Sequence, residues 1–346
     1  MTPIPTADPR LRNLEHWLAG LPGPPVRDIT PASVDASFRR YFRVRRNGET
    51  QIAMDAPPEH EDIAAYLRVA RLLAETGVNV PPVLAADAAL GFALIGDLGS
   101  QQYLDALAGG ADPEPLYADA IDALLRMQAA GTKRASALPA YDRRRLRTEM
   151  ELFPQWFLAR HLGLATDSSE QRAIEAAFDW LCEQALAQPV VLVHRDFHSR
   201  NLMVCAGRNP GILDFQDAVR GPISYDLVSL LKDCYVVWPR ARSHGWLDRY
   251  RAGAARLGLD VGQSRAEFLG WFDRMGLQRH IKVLGIFARL WYRDGKQAYL
   301  TDLPRVLDYT LEATGAEPVL SEFDEFLHRR VVPAFAAAAR RAEGRA

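Results

Sequence analysis

His194-Arg195-Asp196-Phe197-His198-Ser199-Arg200-Asn201, followed by Asp214-Phe215 at the end of the next apolar segment, decides how this chain reads. In order it supplies a carboxylate, an amide five residues later, and a second carboxylate. Between them, Leu202-Met203-Val204-Cys205 and Gly211-Ile212-Leu213 read as short strands, separated by the turn formers Gly207, Asn209 and Pro210. A hairpin there returns Asp214 to the side of Asn201. Alone, an H-x-D can be a turn whose Asp caps backbone amides, and an L-D-F can simply end a strand. As an ordered set around a hairpin they supply what phosphoryl transfer needs. One carboxylate orients an acceptor hydroxyl, and the amide and second carboxylate hold Mg²⁺ against nucleotide phosphates.

These residues resemble the kinase-like phosphotransferases typified by aminoglycoside phosphotransferases and choline kinases. The resemblance implies an α+β, bilobal protein-kinase-like fold with ATP in the cleft. It makes Asp196 the catalytic Asp, and Asn201 and Asp214 the Mg²⁺ ligands. His198 is typical of the small-molecule branch. It and His194 read as braces of the catalytic loop, and a satisfied structural histidine serves that reading as well as a chemical one.

Composition points to a soluble enzyme of 346 residues, enough for two domains or one large two-lobed unit. A net charge of −1 leaves no field to draw in nucleic acid or an anionic membrane. No apolar run reaches transmembrane length, and Met1 to Thr6 lacks the basic and apolar regions of a signal peptide. Cys182, Cys205 and Cys234 are scattered, unlike a disulfide framework or a metal cluster. A reduced, cytoplasmic protein is expected. Oligomeric state is not legible.

Residues 1–98 read as a β-rich N-lobe with five strands and one main helix, and 99–346 as a larger, mostly helical C-lobe. In the first, Phe38 to Val44 is strand-like, Asn47-Gly48 signals a type I′ hairpin, and Thr50 to Asp55 returns. A helix is expected from about Glu59 to Thr76, with Gly77 after it, then strands at 83–86 and 92–95. In the second, helices are expected over 116–127, 143–161, 169–187, 224–237 and 278–292. Strand 190–193 delivers the catalytic loop, and a frayed helix covers 335–346.

The nucleotide half departs from the broad family. Of 42 basic residues only four are Lys, and none precedes Lys133. Where a kinase carries a strand Lys, this chain reads Gln51-Ile52-Ala53-Met54-Asp55. Arg39, Arg40 and Arg43 are the candidates to replace it, since a guanidinium holds phosphate oxygens bidentately. Any one of the three can equally be a solvated strand residue. Small residues from Ser33 to Ser37 stand where a Gly-rich loop is usual, with Ser37 a candidate phosphate contact. By resemblance the adenine site lies at Ile95-Gly96-Asp97-Leu98.

The match narrows further in Ser37 to Arg43, Met54 to Glu59, Asp214 to Ala218, Tyr225 to Tyr235 and Arg279 to Phe287. These stretches look like the subfamily of bacterial anomeric kinases of N-acetylmuramate and N-acetylglucosamine. The resemblance spans about 28–310 and the missing Lys fits it. It implies ATP-dependent phosphorylation of the C1 hydroxyl, in peptidoglycan recycling towards UDP-N-acetylmuramate. Asp226 would then brace the catalytic loop, or act as an ordinary helix-start charge. Asp217 would touch the acceptor or cap a turn. Lys232, Arg279 and Lys282 are candidates for the lactyl carboxylate of N-acetylmuramate, and also fit as surface charges. Trp156, Trp238, Trp271 and Trp291 can stack on a sugar or fill the core. Two alternatives stay open: a kinase of another small acceptor (an aminoglycoside, choline or another sugar), and a non-catalytic nucleotide-binding module, for which the absent Lys speaks.

Overall fold

The computed structural model describes residues 8–34 and 38–343. Two compact units emerge, one of 1–123 with 200–217 and one of 124–199 with 218–346.

The first unit is built on an antiparallel sheet of β1 (Arg27–Val34), β2 (Arg40–Arg46), β3 (Glu49–Asp55), β4 (Val83–Asp87) and β5 (Phe92–Gly96), in the order β1-β2-β3-β5-β4. The β2–β3 turn is made by Asn47 (φ 50°) and Gly48 (φ 83°), as their sequence requires. One face is closed by α1 (Pro9–Ala19), a helix the sequence reading did not include. Asp8 caps it by accepting from Leu11 N at 2.9 Å, and Pro9 stands at its start. Leu11, Leu14 and Leu18 then pack on Phe42, Val44, Ala53, Phe92 and Leu94. The next helix, α2 (Ile63–Glu75), begins four residues later than expected. Residues 57–61 make a turn on the Pro57 carbonyl, and Asp62 is the true cap, accepting from Ala65 N at 3.2 Å.

After α3 (Tyr103–Ala108), α4 (Pro113–Gly131) runs on across the boundary between the units. The expected hairpin, Leu202–Met203 against Gly211–Ile212, belongs to the first unit. It is tied there by Gln102 and Asn79, which bridge to Met203 and Gly211.

In the second unit Val190–Val193 pairs with Val219–Pro222, a partner strand not foreseen. The rest of the unit is helical: α5 (Arg143–Met150), α6 (Ser168–Leu186), α7 (Tyr225–Leu231), α8 (Arg240–Arg256), α9 (Arg265–Asp294), α10 (Leu303–Gly315), α11 (Ser321–Phe326) and α12 (Val332–Glu343), with α5, α6, α7 and α10 packed on α9. The helix expected over 143–161 ends as an α-helix at Met150, whose carbonyl Pro154 has no N–H to meet, and resumes as the π-helix Phe153–Leu162. α7 stops at Leu231, because the Asp233 carboxylate takes Tyr235 N at 3.0 Å and turns the chain. The helix expected over 278–292 is much longer in α9, whose cap is Ser264. Among the described residues no helix is long and apolar enough to cross a membrane.

Candidate active site

The site residues fall into two groups, one in each unit. In the first, Leu213 N donates to the Asn201 carbonyl at 2.9 Å and closes the hairpin. Asn201 and Asp214 thereby line one cavity of about 270 Å³ with Ile52, Tyr66, Ile95 and Asp97. Asp214 has a φ of 61°, a left-handed conformation that costs a non-glycine residue energy. Its neighbour Phe215 is fully buried and stacks on Tyr66 at 4.9 Å, which holds that turn in place. Burial, opposed by Arg39 and assisted by Asp214, pushes the Tyr66 phenol well above its ordinary range, so it stays neutral.

The three arginines part company here. Arg39, only 8% exposed, donates to Asp214 Oδ1 at 3.1 Å and faces Glu61 Oε2 at 3.6 Å. Arg43 lines the cavity and forks onto Asp97, at 2.6 and 3.1 Å, and onto the Gly99 carbonyl at 3.0 Å. Burial alone would raise the Asp97 pKa; the Arg43 guanidinium, with the Gly99 N–H and Thr50, outweighs it and holds the carboxyl below its usual range. Arg40 is committed to Asp8 and to the buried Asp55. Of the three only Arg43 lines the cavity itself, and Arg39 reaches it through Asp214, which does. Ser37 lies outside the described residues. Arg200 and Tyr41 also line the cavity, and neither was singled out from sequence.

The second group is the loop after Val193. Arg195 has a φ of 81°, and the strain is held by Asp226. This fully buried carboxylate accepts from His194 N at 2.7 Å and Arg195 N at 2.9 Å. Burial raises its pKa to about 7 against the lowering effect of those two donors. His194 Nδ1 accepts from Asp196 N at 3.2 Å, so this histidine braces the loop from inside. Ser199 N donates to Asp233 at 3.0 Å, fixing the loop's far end to the turn after α7.

Asp196 lines a second cavity with His198, Cys234, Tyr235, Arg279 and Lys282, closed on its apolar side by Ile286, Phe287 and Tyr299. Burial alone would raise the Asp196 pKa. Lys282, then His198, Arg195 and Arg279, outweigh it and bring it down to about 2. Lys282 is itself held by Glu149 at 3.2 Å, which also pairs with Arg195, and it donates to Tyr225 Oη at 3.1 Å. Glu149 follows the basic run Arg143-Arg144-Arg145-Leu146-Arg147 and stands near Glu151, and that composition hid its role. Lys232 is elsewhere, paired with Asp273 at 2.7 Å on a different cavity. Asp217 is exposed and lines neither of the first two cavities. The tryptophans considered for sugar stacking do not line the Asp196 cavity. Trp238 packs edge-on against Trp246, and Trp271 against Phe268. The aromatic wall is Tyr235, Phe287 and Tyr299, types that carry no individual signal in sequence.

Among solved structures the chain is similar to Plasmodium vivax ethanolamine kinase, with a TM-score of 0.60 and 10% identity over 90% of this chain and 88% of that one. It is also similar to an aminoglycoside phosphotransferase in complex with gentamicin, with a TM-score of 0.59 and 14% identity over 89% and 97%. The fold is thus protein-kinase-like, a β-sheet N-terminal region followed by a mostly helical C-terminal region. The phosphotransferase enzyme family matches residues 28–268, and the chain belongs to it. Among its relatives is the N-acetylmuramate/N-acetylglucosamine kinase of Pseudomonas aeruginosa, 45% identical over 330 residues, 92% of this chain and 96% of that protein. A protein of the same name from Neisseria meningitidis serogroup B is 45% identical over 300 residues, 86% of this chain and 88% of that protein. The chain is an enzyme of phosphoryl transfer.

Proposed function

We propose that this enzyme is an ATP-dependent kinase that phosphorylates the C1 hydroxyl of N-acetylmuramate and N-acetylglucosamine, in cell-wall recycling. The observation that carries the reading is 45% identity, running almost end to end, to a kinase named for these two sugars.

The residues present suit the chemistry. The cavity beside Ile95-Gly96-Asp97 offers an apolar floor and backbone groups for a purine. Asn201 and Asp214 contribute an amide and a carboxylate, the hard oxygen donors that Mg²⁺ takes alongside phosphate oxygens and water. When bound, Mg²⁺ neutralises charge on the nucleotide phosphates. Arg39, already on Asp214, is the cation that replaces the missing Lys, with Glu61 steadying it as a helix Glu steadies that Lys elsewhere. Arg43 shapes the purine end by fixing Asp97.

Asp196 is the group that meets the acceptor. With a pKa of about 2 it is ionised throughout the physiological range. A hemiacetal hydroxyl is more acidic than an ordinary alcohol, and the transition state is loose. Asp196 therefore orients the hydroxyl and takes its proton late, which a weak base can do. Asp226, His194 and Asp233 hold the loop that presents it.

The test is incubation of the purified enzyme with ATP-Mg²⁺ and, separately, N-acetylmuramate, N-acetylglucosamine, choline and an aminoglycoside, followed by phosphorus and proton NMR. A phosphate coupled to the anomeric proton of the two acetylated sugars is expected. Turnover of choline or the aminoglycoside alone overturns the acceptor assignment.

A further inference from the structure

We propose that Arg279 is the carboxylate-binding group of the acceptor cavity and holds the lactyl carboxylate of N-acetylmuramate. This rests on the acceptor reading above and goes beyond it by assigning one side chain to the feature that distinguishes the two sugars.

Three cations were candidates for a carboxylate, and two are already engaged. Lys232 is neutralised by Asp273, and Lys282 by Glu149. Arg279 is 4% exposed, and its side-chain hydrogen bond goes to Cys234 Sγ at 3.4 Å. Sulfur is a weak acceptor. Among the described residues no carboxylate lies within ion-pair distance of its guanidinium. The thiol, Tyr225, Asp196 and Asp233 together keep the guanidinium charged against its burial, and an incoming carboxylate would give it the direct anionic partner that the weak thiol contact does not. The planar fork of Arg matches the two oxygens of a carboxylate.

Position agrees with charge. Arg279, Lys282, Val283, Ile286, Phe287 and Leu290 recur at helical spacing on α9 and form one wall of the cavity. That wall is cationic at its Arg279 end and apolar at its Leu290 end. Asp196 lines the same cavity, so the hydroxyl to be phosphorylated and the cation that would read the lactyl group share one space.

The experiment compares kcat and KM for N-acetylmuramate, its lactyl amide and N-acetylglucosamine, in the wild type, Arg279→Met and Arg279→Lys. In the wild type, the amide should lose about ten- to a hundredfold in kcat/KM relative to the acid, mostly through KM. Arg279→Met should lose a similar factor on the acid, lose less on N-acetylglucosamine, and no longer distinguish acid from amide. Arg279→Lys should recover part of the preference for the acid. If Arg279→Met does not fold, the acid and amide compared on the wild type decide. Equal kcat/KM for acid and amide in the wild type, or equal losses by the variant on both sugars, overturns the assignment. A wild type that phosphorylates neither sugar overturns the acceptor reading itself, and this inference with it.

Discussion

Arg39, Arg40 and Arg43 stand almost side by side in the sequence and end in three different environments. Period-two alternation puts Arg40 and Arg43 on opposite faces of β2, with Arg39 just before the strand. That much was legible. The electrostatic division of labour was not, because it depends on Asp8, Asp55, Asp97 and Asp214, which come from distant parts of the first unit. The structure turns three equivalent candidates into unequal predictions. Arg39→Ala should raise the KM for ATP about tenfold or more, since a charge-assisted contact to phosphate is lost. Arg40→Ala should leave that KM near the wild-type value and lower the melting temperature. Steady-state kinetics beside thermal melts separates them, and an unchanged KM for Arg39→Ala defeats the replacement of Lys by Arg39. Asp196→Asn should cut turnover by about 10² to 10⁴ while ATP binding, followed by calorimetry, stays close to wild type. Near-normal turnover contradicts its role.

At the scale of elements, the catalytic hairpin and the strand before it were readable from turn formers and short apolar runs. Helix ends were readable only where a cap signal is local. Asp62 and Asp233 show what was missing: each stops or starts a helix with its side chain, and for Asp233 one partner, Ser199, lies far away in sequence. Long helix α9 carries two predictions. Gly285 packs against Leu152, and a Cβ there would lie 2.3 Å from the Leu152 carbonyl carbon. Gly285→Ala should therefore destabilise by about 1–3 kcal/mol in urea unfolding. His280 on the same helix stacks on Tyr309 at 4.8 Å, with Nε2 3.1 Å from the Lys232 carbonyl. Burial, helped by the Arg279 charge, lowers its pKa from 6.5 to about 3. The unfolded chain thus takes up this proton below pH 6.5 while the folded one does so only near 3. The stability His280 contributes is complete above 6.5 and is lost as pH falls towards 3, at up to about 1.4 kcal/mol per unit. Buried Asp226 has the opposite sign. Its contribution is complete below about pH 4 and is lost as pH rises through about 7. His280→Phe isolates the first effect: the stability gap between wild type and variant should narrow between pH 7 and pH 5. A constant gap refutes it.

For the whole molecule, sequence yielded the fold class, and it suggested Asp196, Asn201 and Asp214 as the catalytic and metal residues of the proposal because that chemistry demands fixed residue types at short spacing. The cavity that Asp196 lines, the proposed acceptor site, was less legible. Its wall draws on a loop, a turn and a helix separated by tens of residues, and its aromatics are individually indistinguishable from core. Of its lining, Asp196, His198, Arg279 and Lys282 are legible as candidates in the sequence, and the aromatic wall is not. The central claim is that the acceptor atom is the anomeric oxygen of an acetylated amino sugar. The most direct test measures ADP release with N-acetylglucosamine and with its methyl glycoside, in which that oxygen carries no proton. The account predicts turnover of the free sugar and none of the glycoside. Turnover of the glycoside at a rate near that of the free sugar would place the phosphate on another hydroxyl and contradict it.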